Sequence, residues 1–171
     1  QGQALPLETG TKLALFGKAT MDYVKGGGGS GDVTVAYTRN LYEGLKMKEG
    51  VQILESLANF YRENVNAQYA EGVEPGFTRE PEIPEELLAQ AWAWTDTAVI
   101  SICRFSGEGW DRKGIPGDGD FYLTAEEQKM VETLCANFDR VIVVLNVGGM
   151  VDTSWFRDND RIQAVLLAWQ G

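Results

Sequence analysis

The residues best suited to chemistry are Ser106-Gly107-Glu108-Gly109, followed at once by Trp110-Asp111-Arg112. A glutamate between two glycines has no side-chain bulk beside it, so a large substrate can approach its carboxyl closely. Acid–base work on a sugar bond needs a carboxyl placed in this way. The same run also fits a flexible turn whose acid is merely solvated, since glycine-rich loops carrying an acid are common. Trp110 offers an aromatic face that could stack on a sugar ring or pack against the loop's own backbone. Arg112 could pair with an acid to hold the loop, or it could orient Glu108.

Other motifs are weaker. Lys25-Gly26-Gly27-Gly28-Gly29-Ser30-Gly31-Asp32 is a glycine-rich loop that could cradle phosphate, lean over another substrate, or be structural. It starts too far past Gly17 for a dinucleotide turn and lacks the Gly-Lys-Ser/Thr of a P-loop. Asp118-Gly119-Asp120 has the look of a calcium-loop fragment, but the remaining ligand positions are missing, and a solvated turn fits it better. The chain holds no histidine. A Ser-His-Asp or Cys-His arrangement is therefore excluded, as is a zinc site built on histidine. Acid–base work falls to Asp, Glu, Lys, Tyr or Cys, and neither a metal nor a cofactor is expected.

The 171 residues carry 15 basic and 25 acidic side chains, a formal net charge of −10. That balance opposes nucleic acid or an anionic membrane as partner, because both demand clustered Lys and Arg. It favours solubility and a neutral or cationic ligand. No apolar run is long enough to span a membrane, and the N-terminus lacks a basic-then-apolar signal pattern. Cys103 and Cys135 lie in apolar segments and read as free, buried thiols. Two cysteines are no disulfide framework, which points to a reducing, cytoplasmic type of compartment. A start at Gln1 and a stop at Trp169-Gln170-Gly171 suggest a piece of a longer protein.

The elements that must position these residues follow from hydrophobic pattern. Lys12–Gly17, Thr97–Cys103, Arg140–Asn146 and Ile162–Trp169 read as strands, most of them almost wholly apolar. Asn40–Lys48 reads as a short helix. Val51, Leu54, Leu57, Ala58, Tyr61 and Val65 recur at helical spacing and predict a longer one. Tyr69–Glu86 is acidic and proline-bearing and reads as an exposed connection. Pro84 opens a helix through Trp94, with Ala91, Trp92 and Trp94 expected to pack on the sheet. Thr124-Ala125-Glu126-Glu127 is a capping box, and Val131, Leu134, Cys135 and Phe138 give its helix a buried face. Val151–Phe156 reads as a short helical turn. Strands alternating with helices predict an α/β fold, a mostly parallel sheet flanked by helices on both faces as a three-layer sandwich. Ligands of such sheets bind beyond the carboxyl ends of the strands, where the Gly26–Gly31 loop, the Glu108 loop and the turn at Asn146-Val147-Gly148-Gly149 could share one rim.

Taken in order, Lys12–Gly17, Gly26–Asp32, Leu41-Tyr42-Glu43-Gly44-Leu45, Ser106–Arg112, Gly119-Asp120-Phe121-Tyr122-Leu123, Val143–Asn146 and Ala168–Gly171 resemble the α/β sandwich domain of glycoside hydrolase family 3, the β-glucosidase family. The resemblance spans nearly the whole chain. It implies that Glu108 is the general acid/base of a retaining hydrolase acting on terminal β-linked glucosides. It implies that the glycine-rich loop, with Gly29 and Ser30, reaches the bound sugar; beside it, Trp110 is a candidate substrate contact, and Ser106, Asp111 and Arg112 are expected to support the acid. The family's nucleophile, an aspartate, resides in a separate (β/α)8 barrel domain. A retaining site needs two carboxyls roughly 5–5.5 Å apart, and a sandwich of this length leaves no room for a barrel of about 250 residues. The chain is thus expected to be half of an active site, inactive alone, with that barrel and a β-glucoside or oligosaccharide as partners. Family members continue past Gly171 with more glycine and a further helix, so the last strand is expected to lack a covering element. A non-catalytic carbohydrate-binding or scaffold module is the alternative.

Overall fold

In a computed structural model that describes residues 4–170, the elements run β1 (Thr11–Phe16), α1 (Leu41–Lys46), β2 (Val51–Ile53), α2 (Glu55–Ala70), α3 (Glu85–Trp94), β3 (Thr97–Arg104), α4 (Ala125–Asn137), β4 (Arg140–Val147), α5 (Ser154–Arg157) and β5 (Ile162–Leu167). Gln1 and Gly171 lie outside the described residues. The five strands form one parallel sheet in the order β2-β1-β3-β4-β5. β3 and β4 pair along their whole length, from Thr97 opposite Arg140 to Arg104 opposite Val147. Every residue of β3 is buried, polar Thr97, Ser101 and Arg104 included, as befits a mostly apolar central strand covered on both faces.

Successive side chains of a strand point to opposite faces, and the two cores follow that alternation. Phe16, Ile100, Ile102, Val141, Val143 and Leu145 face one side, where Leu57 and Tyr61 of α2, Ala91 of α3, and Met130 and Leu134 of α4 cover them. Leu13, Leu15, Val99, Ile142 and Val144 face the other, covered by Leu41, Tyr42 and Leu45 of α1 and by the segment at Ala4–Leu7. Helices thus flank the sheet on both sides, as the alternation of elements predicts. The capping box of α4 is present: Thr124 Oγ1 accepts from the Glu127 N–H at 3.1 Å, and Glu127 Oε2 accepts from the Thr124 N–H at 2.9 Å. At the far edge of the sheet, Val165, Leu166 and Leu167 of β5 are 39–46% exposed.

Four local expectations are corrected. Val51 does not begin a helix: Val51–Ile53 is an edge strand in register with Thr11–Leu13, and α2 starts only at Glu55. Three residues are too few to show a period of two against the helical spacing that follows. The connection Tyr69–Glu86 is not simply exposed, since Thr78 and Glu80 are buried. Their polar side chains hide this in the sequence; each finds partners across the chain. Trp92 is 38% exposed and meets only Phe138 among the described rings, tilted at 6.4 Å, while Leu87, Leu88, Ala91 and Trp94 pack α3 onto the core. The last helical turn lies at Ser154–Arg157 instead of Val151–Phe156, placed by Asp152, which accepts from both the N–H and the hydroxyl of Ser154. Cys103 and Cys135 are both free and buried.

Candidate active site

Beyond the carboxyl end of β3 the chain turns at Gly107–Trp110, closed by the Trp110 N–H donating to the Gly107 carbonyl at 3.1 Å. Gly109 takes φ +73, the left-handed third position of such a turn, which glycine adopts without steric cost. Glu108 therefore occupies the turn's corner and is exposed.

The glycine-rich loop lies directly against this turn. Gly28 and Gly107 form an isolated parallel bridge. A β-carbon on Gly107 would sit 2.7 Å from the Gly28 nitrogen, so this approach of two backbones excludes a side chain. The next residue, Gly29 (φ +69), begins a 3-10 turn, Gly29–Gly31, whose Ser30 N–H is directed at Glu108 Oε2 at 3.4 Å. Ser30 itself is exposed. The third loop of the rim, Gly148-Gly149 after β4, meets the same group: β-carbons there would lie 3.1 Å from Ser106 Cβ and 3.0 Å from Ser106 Oγ. The three loops expected to share a rim do so.

The remaining residues singled out from the sequence divide by environment. Arg112 pairs with an acid: its Nη1 donates to Asp120 Oδ1 at 2.7 Å and its Nη2 to Ser106 Oγ at 2.8 Å, which ties both ends of the loop together. Asp120 also accepts from the Lys113 N–H at 2.7 Å. Partial burial alone would push its carboxyl up, but that N–H and the Arg112 guanidinium hold it below the usual carboxylate range. This acid of the Asp118–Asp120 run is thus engaged with Arg112. Asp111 is exposed on the loop surface. Trp110 is 48% exposed and stands edge-on to Phe105, with centroids 5.4 Å apart, and to Phe77 at 5.7 Å. It packs on these aromatic neighbours and keeps about half its surface open.

Several groups that hold this rim escape a sequence reading. Asn146, fully buried at the end of β4, accepts from the Val24 N–H at 2.6 Å and donates to the Val24 carbonyl at 2.9 Å and the Trp169 carbonyl at 2.6 Å. It roots the glycine-rich loop as a neighbouring strand would. Asp22 is equally buried and accepts from Lys18 Nζ, Tyr69 Oη, the Gly76 and Thr78 N–H groups and Thr78 Oγ1, at 2.5–3.2 Å. Burial opposes its charge, yet Lys18 and these donors hold its carboxyl below the ordinary value. Asp22 thereby fixes the strap Gly76–Thr78 that carries Phe77. Arg104 and Glu127 form a buried ion pair beneath the Glu108 loop. Little in local pattern marks these partners, because all but the Lys18–Asp22 pair, four residues apart, lie tens of residues away along the chain.

The sequence profile of the Glycosyl hydrolase family 3 C-terminal domain matches residues 1–171. Beta-glucosidase A of Butyrivibrio fibrisolvens is 52% identical over 98% of the chain, and a beta-glucosidase of Ruminococcus albus is 32% identical over 98%. The chain spans 23% and 18% of those two relatives. Among solved structures, a beta-glucosidase from Paenibacillus barengoltzii superposes with a TM-score of 0.90 at 32% identity, covering 100% of this chain and 19% of that one. Beta-glucosidase 3B from Thermotoga neapolitana, solved in complex with α-D-glucose, superposes at 0.82 with 36% identity, covering 99% and 24%. The parallel α/β sandwich accords with these matches, and the chain belongs to glycosyl hydrolase family 3, whose C-terminal domain it matches from end to end.

Proposed function

We propose that Glu108 is the general acid/base of a retaining β-glucosidase whose aspartate nucleophile is carried by a (β/α)8 barrel domain of the same protein. In the first step, Glu108 in its protonated form gives its proton to the glycosidic oxygen while the aspartate attacks the anomeric carbon and the leaving alcohol departs. In the second, the Glu108 carboxylate takes a proton from the water that attacks the glycosyl-enzyme, and the sugar leaves with its configuration retained. Gly109, with open space where a side chain would stand, leaves the approach to Glu108 clear for substrate, while Gly107 lets the glycine-rich loop back it. Ser30, exposed on the turn that abuts the carboxyl, contacts the sugar together with the Gly29 backbone. The open half of Trp110 stacks against the leaving group.

The observation that carries this function is the corner position of Glu108, exposed on one side and backed by the Gly29–Ser30 backbone on the other. The decisive experiment uses aryl β-glucosides with good and poor leaving groups. In the full-length protein, Glu108→Ala should cripple the poor leaving groups by about 100-fold or more and spare the good ones in the first step. Equal losses on both would remove the acid role. The purified chain alone should release no nitrophenol from an aryl β-glucoside. Turnover that vanishes in Glu108→Gln would refute the half-site.

A further inference from the structure

A single guanidinium closes the acid-bearing loop at its base. Arg104, the last residue of β3, uses all five of its N–H donors. Its Nε donates to the Asp120 carbonyl at 3.0 Å, and its Nη1 to the Cys103 carbonyl at 2.7 Å and Glu127 Oε1 at 2.8 Å. Its Nη2 donates to the Tyr122 carbonyl at 3.3 Å and Glu127 Oε2 at 2.5 Å. The side chains of Arg104 and Glu127 are only 7% and 4% exposed. The residues where the loop leaves β3 are thus locked to the residues where it returns to α4. From Asp120 the linkage continues through Arg112 to Ser106, two residues before Glu108.

A pair this deeply buried is a poor source of stability, since desolvating both charges offsets most of their attraction. Its fork geometry does fix one arrangement of the loop. We infer, taking Glu108 as the acid/base proposed above, that Glu127 is a positioning residue for it: through Arg104 it holds the loop so that the Glu108 carboxyl meets the glycosidic oxygen. Glu127 touches no substrate. Its Oε2 also caps α4, a duty a glutamine oxygen can take over. A glutamine cannot offer two acceptors to the fork, and it turns an NH₂ toward the guanidinium.

The test compares kcat/KM of the full-length protein on aryl β-glucosides with poor and good leaving groups. The ratio of the two does not depend on how much of a variant is folded. Good leaving groups depart without a proton, so a displaced acid lowers only the rate on poor ones. Glu127→Gln should lower the poor-to-good ratio by about tenfold. Arg104→Lys, which keeps the charge but loses the fork, should lower it in the same direction. If either variant loses both substrates alike, the pair is merely structural and the inference is overturned. Glu108→Ala measured alongside separates the two ideas. A split in Glu108→Ala without one in Glu127→Gln leaves the acid role standing and removes that of Glu127. No split in Glu108→Ala removes both.

Discussion

At Gly29 the backbone is left-handed, and a β-carbon would sit 2.5 Å from Glu108 Oε2. Any side chain there strains the turn and pushes the carboxyl aside. In the full-length protein, Gly29→Ala should cost about 1–2 kcal/mol in the strained backbone. It should also lower kcat/KM by on the order of 100-fold, since a shift of about 1 Å in a reacting group has that effect. Urea unfolding and steady-state kinetics on the same preparation separate the two losses; full activity would mean that Glu108 and Gly29 are not in contact in the working enzyme. Trp110 has a narrower role. Trp110→Ala should raise KM for aryl β-glucosides a few-fold, matching about 0.5–1.5 kcal/mol of ring contact, and alkyl glucosides should respond less. Both residues stand out in the sequence because their signals are local: a run of glycines for Gly29, and for Trp110 an aromatic two positions past an acid. Phe77 and Phe105, which hold Trp110 upright, do not, because an aromatic gives no sign of which distant ring it will meet.

The elements were legible where a period could express itself. β3 and β4 are long apolar runs and fall where the pattern puts them; α4 carries its own capping box. β2 was hidden, since three residues followed at once by a helix are absorbed into the helical spacing. The strap 76–80 was hidden for a different reason. Its burial depends on polar groups satisfied by Asp22 and Lys18, and sequence pattern treats polar residues as exposed. Asn146 belongs to the same class. It ends an apolar strand, yet its carboxamide takes both polar groups of Val24 and the carbonyl of Trp169. Asn146→Ala would leave the two buried groups of Val24 without partners at about 1–3 kcal/mol each. The expected loss is about 2 kcal/mol or more, roughly the sum of the smallest such costs. Hydrogen exchange should quicken at Val24–Gly28 ahead of β3. A loss below about 1 kcal/mol would mean that water replaces the clamp.

Across the molecule, buried ionisable groups make stability depend on pH. Glu80 is buried with its Oε2 on the Lys18 N–H at 2.7 Å, and burial raises its pKa from 4.5 to about 8. The folded chain therefore holds a proton that the unfolded chain releases above 4.5. The stability linked to it is full below about 4.5 and is lost as pH rises toward 8. Asp22 works in the opposite sense. Its lowered pKa stabilises the fold above its ordinary value of 3.8, and that contribution is lost as pH falls below it. Unfolding free energy measured by urea from pH 5 to 8 should decline, and Glu80→Gln should flatten the decline while keeping an acceptor for Lys18. An unchanged slope in that variant would assign the decline to the accumulating negative charge of the chain instead.

The backbone bridge between Gly28 and Gly107 bears on any attempt to rebuild this chemistry elsewhere. The peptide that carries the carboxyl is not a self-contained cassette. Grafted alone onto a foreign scaffold, it would arrive without the wall it rests on, and its glutamate would swing free. A transplant has to bring both stretches and keep them within touching range of one another. Natural variation should obey the same limit, with length changes tolerated at the outer ends of these excursions and refused where the two main chains meet.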